Sequence, residues 1–303
     1  MKTLIRITGW GIVLTGLSLL FYLLPTAEAQ AYADSRTTVA LLTASGTETL
    51  PMAEYLPGAV AAEMPVSFGA EALKAQAVAA RTYALASHRH GTANVCADSA
   101  CCLAYRTEDE LRALWGADYE ENMRAVTDAV RATDGQVLTF GGELIAAAFH
   151  ASSAGSTEDS GSLWSPMPYL TSVESPETSE TVPGLVREMV ITPEALCEAL
   201  AIAPNGTPED WLGAVVLDPA GRVARIEIGS CTFTGAEVRA ALGLGSTAFS
   251  VRWEAGTFIF TVSGSGHGVG MSQYGAKLLA ADGWSYDAIL SHYYPGTVLI
   301  SIK

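Results

Sequence analysis

An alanine-rich run bounded by a proline constrains this chain most. From Gly69 to Ser87 it carries eight alanines. Alanine has the strongest intrinsic helix preference, and its small side chain lets neighbouring backbone come close. The pattern predicts a helix over 69–87, capped by Ser67 and with one face in the core. Just before it, Glu54–Glu63 reads as another helix. Pro65 should stop that helix near Glu63, because proline disfavours the helical conformation of the residue before it. Near the other end of the chain, Gly264–Ala276 holds five glycines together with His267, Ser272, Gln273 and Tyr274. Glycines free the backbone, and the polar side chains can bond or move protons. Such composition at two distant places suggests a site assembled from both ends of one domain.

The length of 303 residues allows one large domain or two smaller ones. With 49% hydrophobic and 16% charged residues the chain has the composition of a globule. Its formal charge of -15 argues against nucleic-acid binding, which needs clustered Lys and Arg, and against charge-driven docking on anionic lipid. At the N-terminus, Lys2 and Arg6 precede the uncharged run Ile7–Leu24, and Ala27-Glu28-Ala29 follows. Two readings fit: a signal peptide cut after a small-x-small site, and a signal anchor, for which 18 apolar residues just suffice. Either way the bulk of the chain is exported. The expected divisions are therefore 1–29 as signal, 30–50 as linker and first strand, and 51–303 as the main domain.

Within the main domain, Glu108–Thr133 has helical spacing of Leu111, Leu114, Trp115, Met123, Val126 and Val130. Gly141-Gly142 between two apolar runs signals a two-residue hairpin. Ser160–Pro183 reads as a surface loop. Strands are expected at Ala214–Leu217, Val223–Ile228, Phe249–Trp253 and Thr257–Val262, with helix at Thr234–Gly243 and Ala276–Ala281. The fold class is α+β, with a helical N-terminal part packed on a sheet-rich later part.

Five cysteines form an odd set, which argues against a pure disulfide framework. Cys197 and Cys231 stand apart, and the sequence leaves their pairing open. His90, Cys96, Cys101 and Cys102 combine thiolates with an imidazole, a donor set suited to tetrahedral zinc in a closed structural site. His88 is an alternative ligand. The competing reading is oxidised cysteines, including a disulfide from Cys96 to one of the adjacent pair.

Several motifs in order resemble the stage II sporulation protein D family, the SpoIID domain of peptidoglycan lytic transglycosylases. They are the Glu54–Tyr83 block, Phe149–Glu158, Pro168–Glu174, Phe233–Arg239 and Gly266–Ala276. The resemblance implies cleavage of glycan strands, preferentially denuded ones, with 1,6-anhydro ends, in septal wall thinning and engulfment during sporulation. It implies a membrane-anchored, single-pass protein with its catalytic domain outside the cytoplasm, and stage II sporulation proteins P and M as partners. It also implies a zinc site at His90, Cys96 and Cys102, where relatives have a histidine in place of Cys101. We expect that ion to be remote from the scissile bond. Because related sequences act as amidase enhancers, a non-catalytic wall-binding module is the alternative.

Lytic transglycosylation needs one proton carrier with a raised pKa, which an apolar setting provides. Glu63, among Ala61, Ala62, Met64 and Pro65, fits. Glu54 is the rival, but it sits at a helix start where N–H groups favour the charged carboxylate. Expected substrate contacts are His267, Ser272, Gln273 and Tyr274 from the glycine-rich segment and, more weakly, Gln76, Arg81 and Tyr83.

Overall fold

The computed structural model describes residues 33–87, 90–98 and 101–302. The N-terminal apolar run and His88 lie outside the described residues. No helix among the described residues is long and apolar enough to cross a membrane. The chain divides into Met1–Tyr32 and Ala33–Lys303, and all that follows concerns the second unit.

In chain order the unit begins with helix α1 (Ala33–Arg36), strands β1 (Thr38–Thr43) and β2 (Gly46–Pro51), and helices α2 (Met52–Glu63) and α3 (Ala70–Ala86). Strand β3 (Val95–Cys96) follows, then α4 (Glu108–Trp115), α5 (Tyr119–Ala132), β4 (Gln136–Phe140), β5 (Glu143–Leu144) and β6 (Phe149–His150). The middle holds β7 (Val186–Ile191), α6 (Pro193–Leu200), β8 (Leu212–Leu217), β9 (Val223–Ile228), β10 (Cys231–Thr234), α7 (Gly235–Leu242), β11 (Phe249–Glu254) and β12 (Thr257–Ser263). The chain closes with β13 (Met271–Ser272), α8 (Gln273–Ala281), α9 (Tyr286–Tyr293) and β14 (Val298–Ser301). The class is α+β, as the sequence indicates.

Local chemistry accounts for many boundaries. Helix α2 ends at Glu63, and Met64, the residue before Pro65, turns extended at φ -127° and ψ 128°. Ser67 does not cap α3; it lies in a 3-10 turn, and Gly69 at φ +92° occupies the cap position. Positive φ favours glycine, so the turn geometry overrides the serine. Reciprocal capping boxes, Thr107 with Glu110 and Thr234 with Glu237, start α4 and α7. Gly141 and Gly142 both take positive φ, as the two-residue hairpin joining β4 to β5 requires.

Helix α3 is the axis of the main core. Its alanines 72, 75, 77, 79, 80 and 84 are all fully buried, and it packs against α2, α5, α8, α9 and β4. The short side chains let that many elements surround one helix. The last strand, β14, returns to pair antiparallel with β4, so both ends of the unit share this core. The sheet-rich middle has a second core of its own, built from Leu196, Ile226, Val238, Phe249, Phe258 and Phe260. Arg222 links the two. Only 1% exposed, it lies 3.4 Å from Glu158 and donates to the Ser156 carbonyl at 3.3 Å. Its guanidinium fills the space where a Cβ on Gly268 would sit, 2.6 Å away, so the glycine-rich loop accepts only glycine there.

Arg81 does not face substrate. It is 0% exposed and makes a two-pronged ion pair with Asp34 at 2.6 and 2.7 Å, and it donates to the Gln136 and Val130 carbonyls. The partner comes from the stretch read as linker. Removing one member leaves a buried charge unmatched, so Asp34→Ala should cost about 3–5 kcal/mol. The drop in urea midpoint measures it, and a change under 1 kcal/mol would show the pair to be unimportant.

Candidate active site

Glu63 sits at the last position of α2, partly buried. Burial pushes its carboxyl above the ordinary glutamate value, and one hydrogen bond opposes the shift. That bond comes from the Ala104 backbone N–H, 2.5 Å from Glu63 Oε1. The segment behind Ala104 lies along the helix. Arg106 N–H donates to the Gly58 carbonyl at 3.4 Å, and Tyr105 stacks on Tyr55 with ring centroids 5.6 Å apart. The Tyr55 hydroxyl is buried with no hydrogen-bond partner among the described residues; its pKa is raised first by burial and next by the Glu63 charge. The other end of the chain fixes Glu63 from behind: Gln273 Nε2 donates to the Glu63 backbone carbonyl at 3.0 Å. Glu54, by contrast, is exposed.

The expected substrate residues separate into three groups. Gln273 and Gln76 lie next to Glu63, with Gln273 Nε2 3.4 Å from Gln76 Oε1, and both amides are buried. Tyr274 is partly exposed and packs on Phe68 at 4.7 Å. Tyr83, partly buried, packs against the main core. Ser272 is tied up inside the protein, and His267 is half-buried. Ser272 is fully buried; its hydroxyl donates to Glu177 Oε1 and caps α8 by accepting from Gly275 N–H. His267 Nδ1 accepts from Val269 N–H at 3.0 Å, and the ring also bonds the Phe149 backbone. Burial, then the Arg239 charge, hold its pKa down at about 4, so it is neutral at physiological pH. Both residues therefore brace the loop, and the exposed ring beside them is Trp164, 5.1 Å from His267.

Three supporting groups escaped the sequence reading. Glu177, buried, accepts from the Ser153 N–H and from Ser272, inside what reads as a surface loop. His150, also buried, bonds Ser153 Oγ at 2.7 Å. Ala104 acts through its backbone, which leaves no mark on a sequence. A cleft of about 540 Å³ opens in the second core beside Val215, Leu217 and Phe249, and none of the candidate residues lines it.

The four predicted ligands do meet. His90 Nε2 and the thiols of Cys96, Cys101 and Cys102 lie within 4.8 Å of one another. His90 Nε2 is 3.1 Å from Cys102 Sγ and 3.6 Å from Cys101 Sγ. A tetrahedral zinc with bonds of about 2.0–2.3 Å separates its donors by roughly 3.5–3.8 Å, so this set can hold a metal ion. None of the five cysteines is in a disulfide. The cluster is not remote from Glu63. Cys102 is followed two residues later by Ala104, whose N–H holds the carboxylate.

Residues 43–140 match the family described as Stage II sporulation protein, SpoIID. The Stage II sporulation protein D of Bacillus amyloliquefaciens is 38% identical over 82% of this chain and 74% of its own length. That of Bacillus subtilis is 36% identical over the same shares. The chain belongs to the stage II sporulation protein D family. It is also similar to the Amidase enhancer of Bacillus subtilis, 29% identical over 81% of this chain but only 40% of that protein.

Gly58 permits the arrangement. A Cβ there would lie 2.5 Å from the Arg106 carbonyl oxygen and 2.7 Å from the Tyr105 ring. Gly58→Ala should therefore push residues 104–106 off α2, costing about 1–3 kcal/mol and loosening Ala104 from Glu63. Denaturation together with amide exchange at Ala104 checks this, and unchanged protection would refute it.

Proposed function

We propose that this protein is a peptidoglycan lytic transglycosylase that cuts the glycosidic bond between N-acetylmuramic acid and N-acetylglucosamine. Glu63 is the catalytic acid. The observation that carries the reading is a partly buried carboxyl with a raised pKa, steadied on one oxygen by a backbone N–H. Protonated Glu63 gives its proton to the bridging oxygen as the bond to the muramic C1 breaks. The resulting carboxylate then takes the proton of that sugar's own 6-hydroxyl, whose oxygen closes on C1. The proton is returned, no water is consumed, and a 1,6-anhydro end forms. One carboxyl does both jobs in turn, unlike the carboxyl pairs of glycoside hydrolysis. Gln273 and Gln76 support the helix end that carries the acid, and Tyr274 offers a partly exposed ring for sugar contact.

Zinc is the ion we assign to His90, Cys96, Cys101 and Cys102, where it supplies a cross-link between the loop and the end of α3. Retention by the Ile7–Leu24 segment would confine the enzyme to membrane-proximal wall during sporulation, with stage II proteins P and M as partners. The likeness to the amidase enhancer supports a second reading, a wall-binding module without cleavage.

Glu63→Gln removes the proton and keeps the shape. It should lower release of anhydro-muropeptides by several orders of magnitude, about 10³-fold or more, with strand binding kept; Glu54→Gln should do far less. Release at the parent rate would dismiss Glu63 as the acid. The raised pKa also fixes a pH dependence. The acid form is lost as pH rises through the folded value, so cleavage should decline on that limb. Stability follows the same sense: Glu63 favours the fold fully below the unfolded pKa, and that contribution is lost as pH rises through the folded one. The stability of Glu63→Gln relative to the parent should therefore increase with pH, and urea titrations at several pH values would measure it. A flat difference would contradict the shift.

Elemental analysis of protein purified without chelator should find one zinc per chain. Removing it should lower both the melting temperature and the cleavage rate, because the loop reaches Glu63. Less than a tenth of an equivalent (on the order of the background in such preparations) with no titratable thiols would favour oxidised cysteines.

A further inference from the structure

The cluster contains three thiols where one disulfide needs two, and it stands two residues from the amide that holds Glu63. Cys96 is buried, whereas Cys101 and Cys102 are half-buried and within reach of a small solute. Cys102 lies against His90 at 3.1 Å. The Cys101 thiol hydrogen-bonds the Cys96 sulfur. The amides of Cys101 and Cys102 both donate to the Asp98 carbonyl, at 3.0 and 2.8 Å, so the two residues move as one turn. Adjacent cysteines point apart along the chain, which disfavours a bond within the Cys101-Cys102 pair.

We infer that this metal cluster is also a thiol switch: a Cys96–Cys101 disulfide expels the ion and withdraws the Ala104 amide from Glu63. The functional part of this inference rests on Glu63 being the catalytic acid. The oxidant is a low-molecular-weight disulfide of the glutathione type. The Cys101 thiolate attacks it, forming a mixed disulfide and releasing one small thiolate. The Cys96 thiolate then attacks the Cys101 sulfur and releases the second. Two protein thiolates lose two electrons, and one small disulfide gains them. The divalent ion keeps its charge and leaves because two of its four ligands are gone.

Geometry makes the switch consequential. Around a tetrahedral ion the sulfurs stand about 3.8 Å apart, and in a disulfide about 2.05 Å. Closing that gap must draw Cys96 and the Cys101-Cys102 pair together by an ångström or more. Ala104 follows the turn through one residue, Leu103, whose side chain is buried. A shift of about 1 Å in a catalytic group's support can cost about a hundredfold in rate.

The test uses the full-length, zinc-loaded protein with Cys197→Ser and Cys231→Ser, so that only the cluster can oxidise. It is treated with oxidised glutathione. Three readouts are followed: zinc release by a colorimetric chelator, thiol loss by mass after alkylation, and amide exchange of the peptide holding Ala104. One zinc should leave per disulfide formed, Ala104 should lose protection, and glycan cleavage should fall about a hundredfold. Reductant plus zinc should restore all of these. Cys101→His, which keeps a fourth ligand but removes the attacking thiol, should resist oxidation. Retention of zinc and thiols by the parent would overturn the switch, and equal oxidation of Cys101→His would overturn the assigned pair. Oxidation that leaves Ala104 protected would overturn the coupling. If the untreated protein cleaves nothing, the enzymatic reading fails, while metal, thiol and exchange data still decide the switch.

Discussion

The structure depends on how the last turn of α2 is held. Glu63 is gripped at its carboxylate by the Ala104 N–H and at its backbone carbonyl by Gln273. These partners come from a cysteine-bearing loop and from the glycine-rich segment near the C-terminus. Gln273 belongs to α8, residues 105–106 lean on α2, and both helices pack on α3. The alanine-rich helix makes this possible, because its buried face of short side chains admits α2, α8 and α9 at close range. Burial then raises the Glu63 pKa, so one packing arrangement both positions the carboxyl and favours its protonated form.

Much of this was legible in the sequence, for identifiable reasons. Pro65 restricts the backbone before it and the glycine pair 141–142 permits the positive φ angles of a tight turn, and the structure shows both. Strand β9 and helix α7 carry strong alternation and a capping box, and they form where expected. Strand β2 was missed because its residues are almost all exposed, leaving no apolar period to read. The second core was missed for another reason: apolar spacing tells which residues are buried, but not in which core. Elements α9 and β14 draw their positions from long-range packing onto α3 and β4.

The site shows the same division. Glu63 stood out because its sequence neighbours are apolar, whereas its hydrogen-bond donor is a backbone amide. Arg81 looked like a ligand because it is a cation in the middle of an alanine-rich helix. Its partner Asp34 lies in a stretch with little periodicity. Ser272 and His267 were read as polar groups presented by glycines. Several of those glycines instead make room inside the protein, Gly268 for the Arg222 guanidinium and Gly275 for the Tyr293 hydroxyl. The four metal-ligating candidates meet as grouped, and the loop that carries three of them reaches Glu63 through Ala104. Spacing can indicate a ligand set without indicating what its loop leans on.

The central claim is that one carboxyl cleaves glycan without water, and isotope labelling tests it most directly. Denuded glycan strands are incubated with the protein in heavy-oxygen water, and the new chain ends are weighed. The account predicts 1,6-anhydro ends that carry no heavy oxygen. Reducing ends carrying heavy oxygen would show hydrolysis and contradict the mechanism, and bound but uncut strands would leave a wall-binding module.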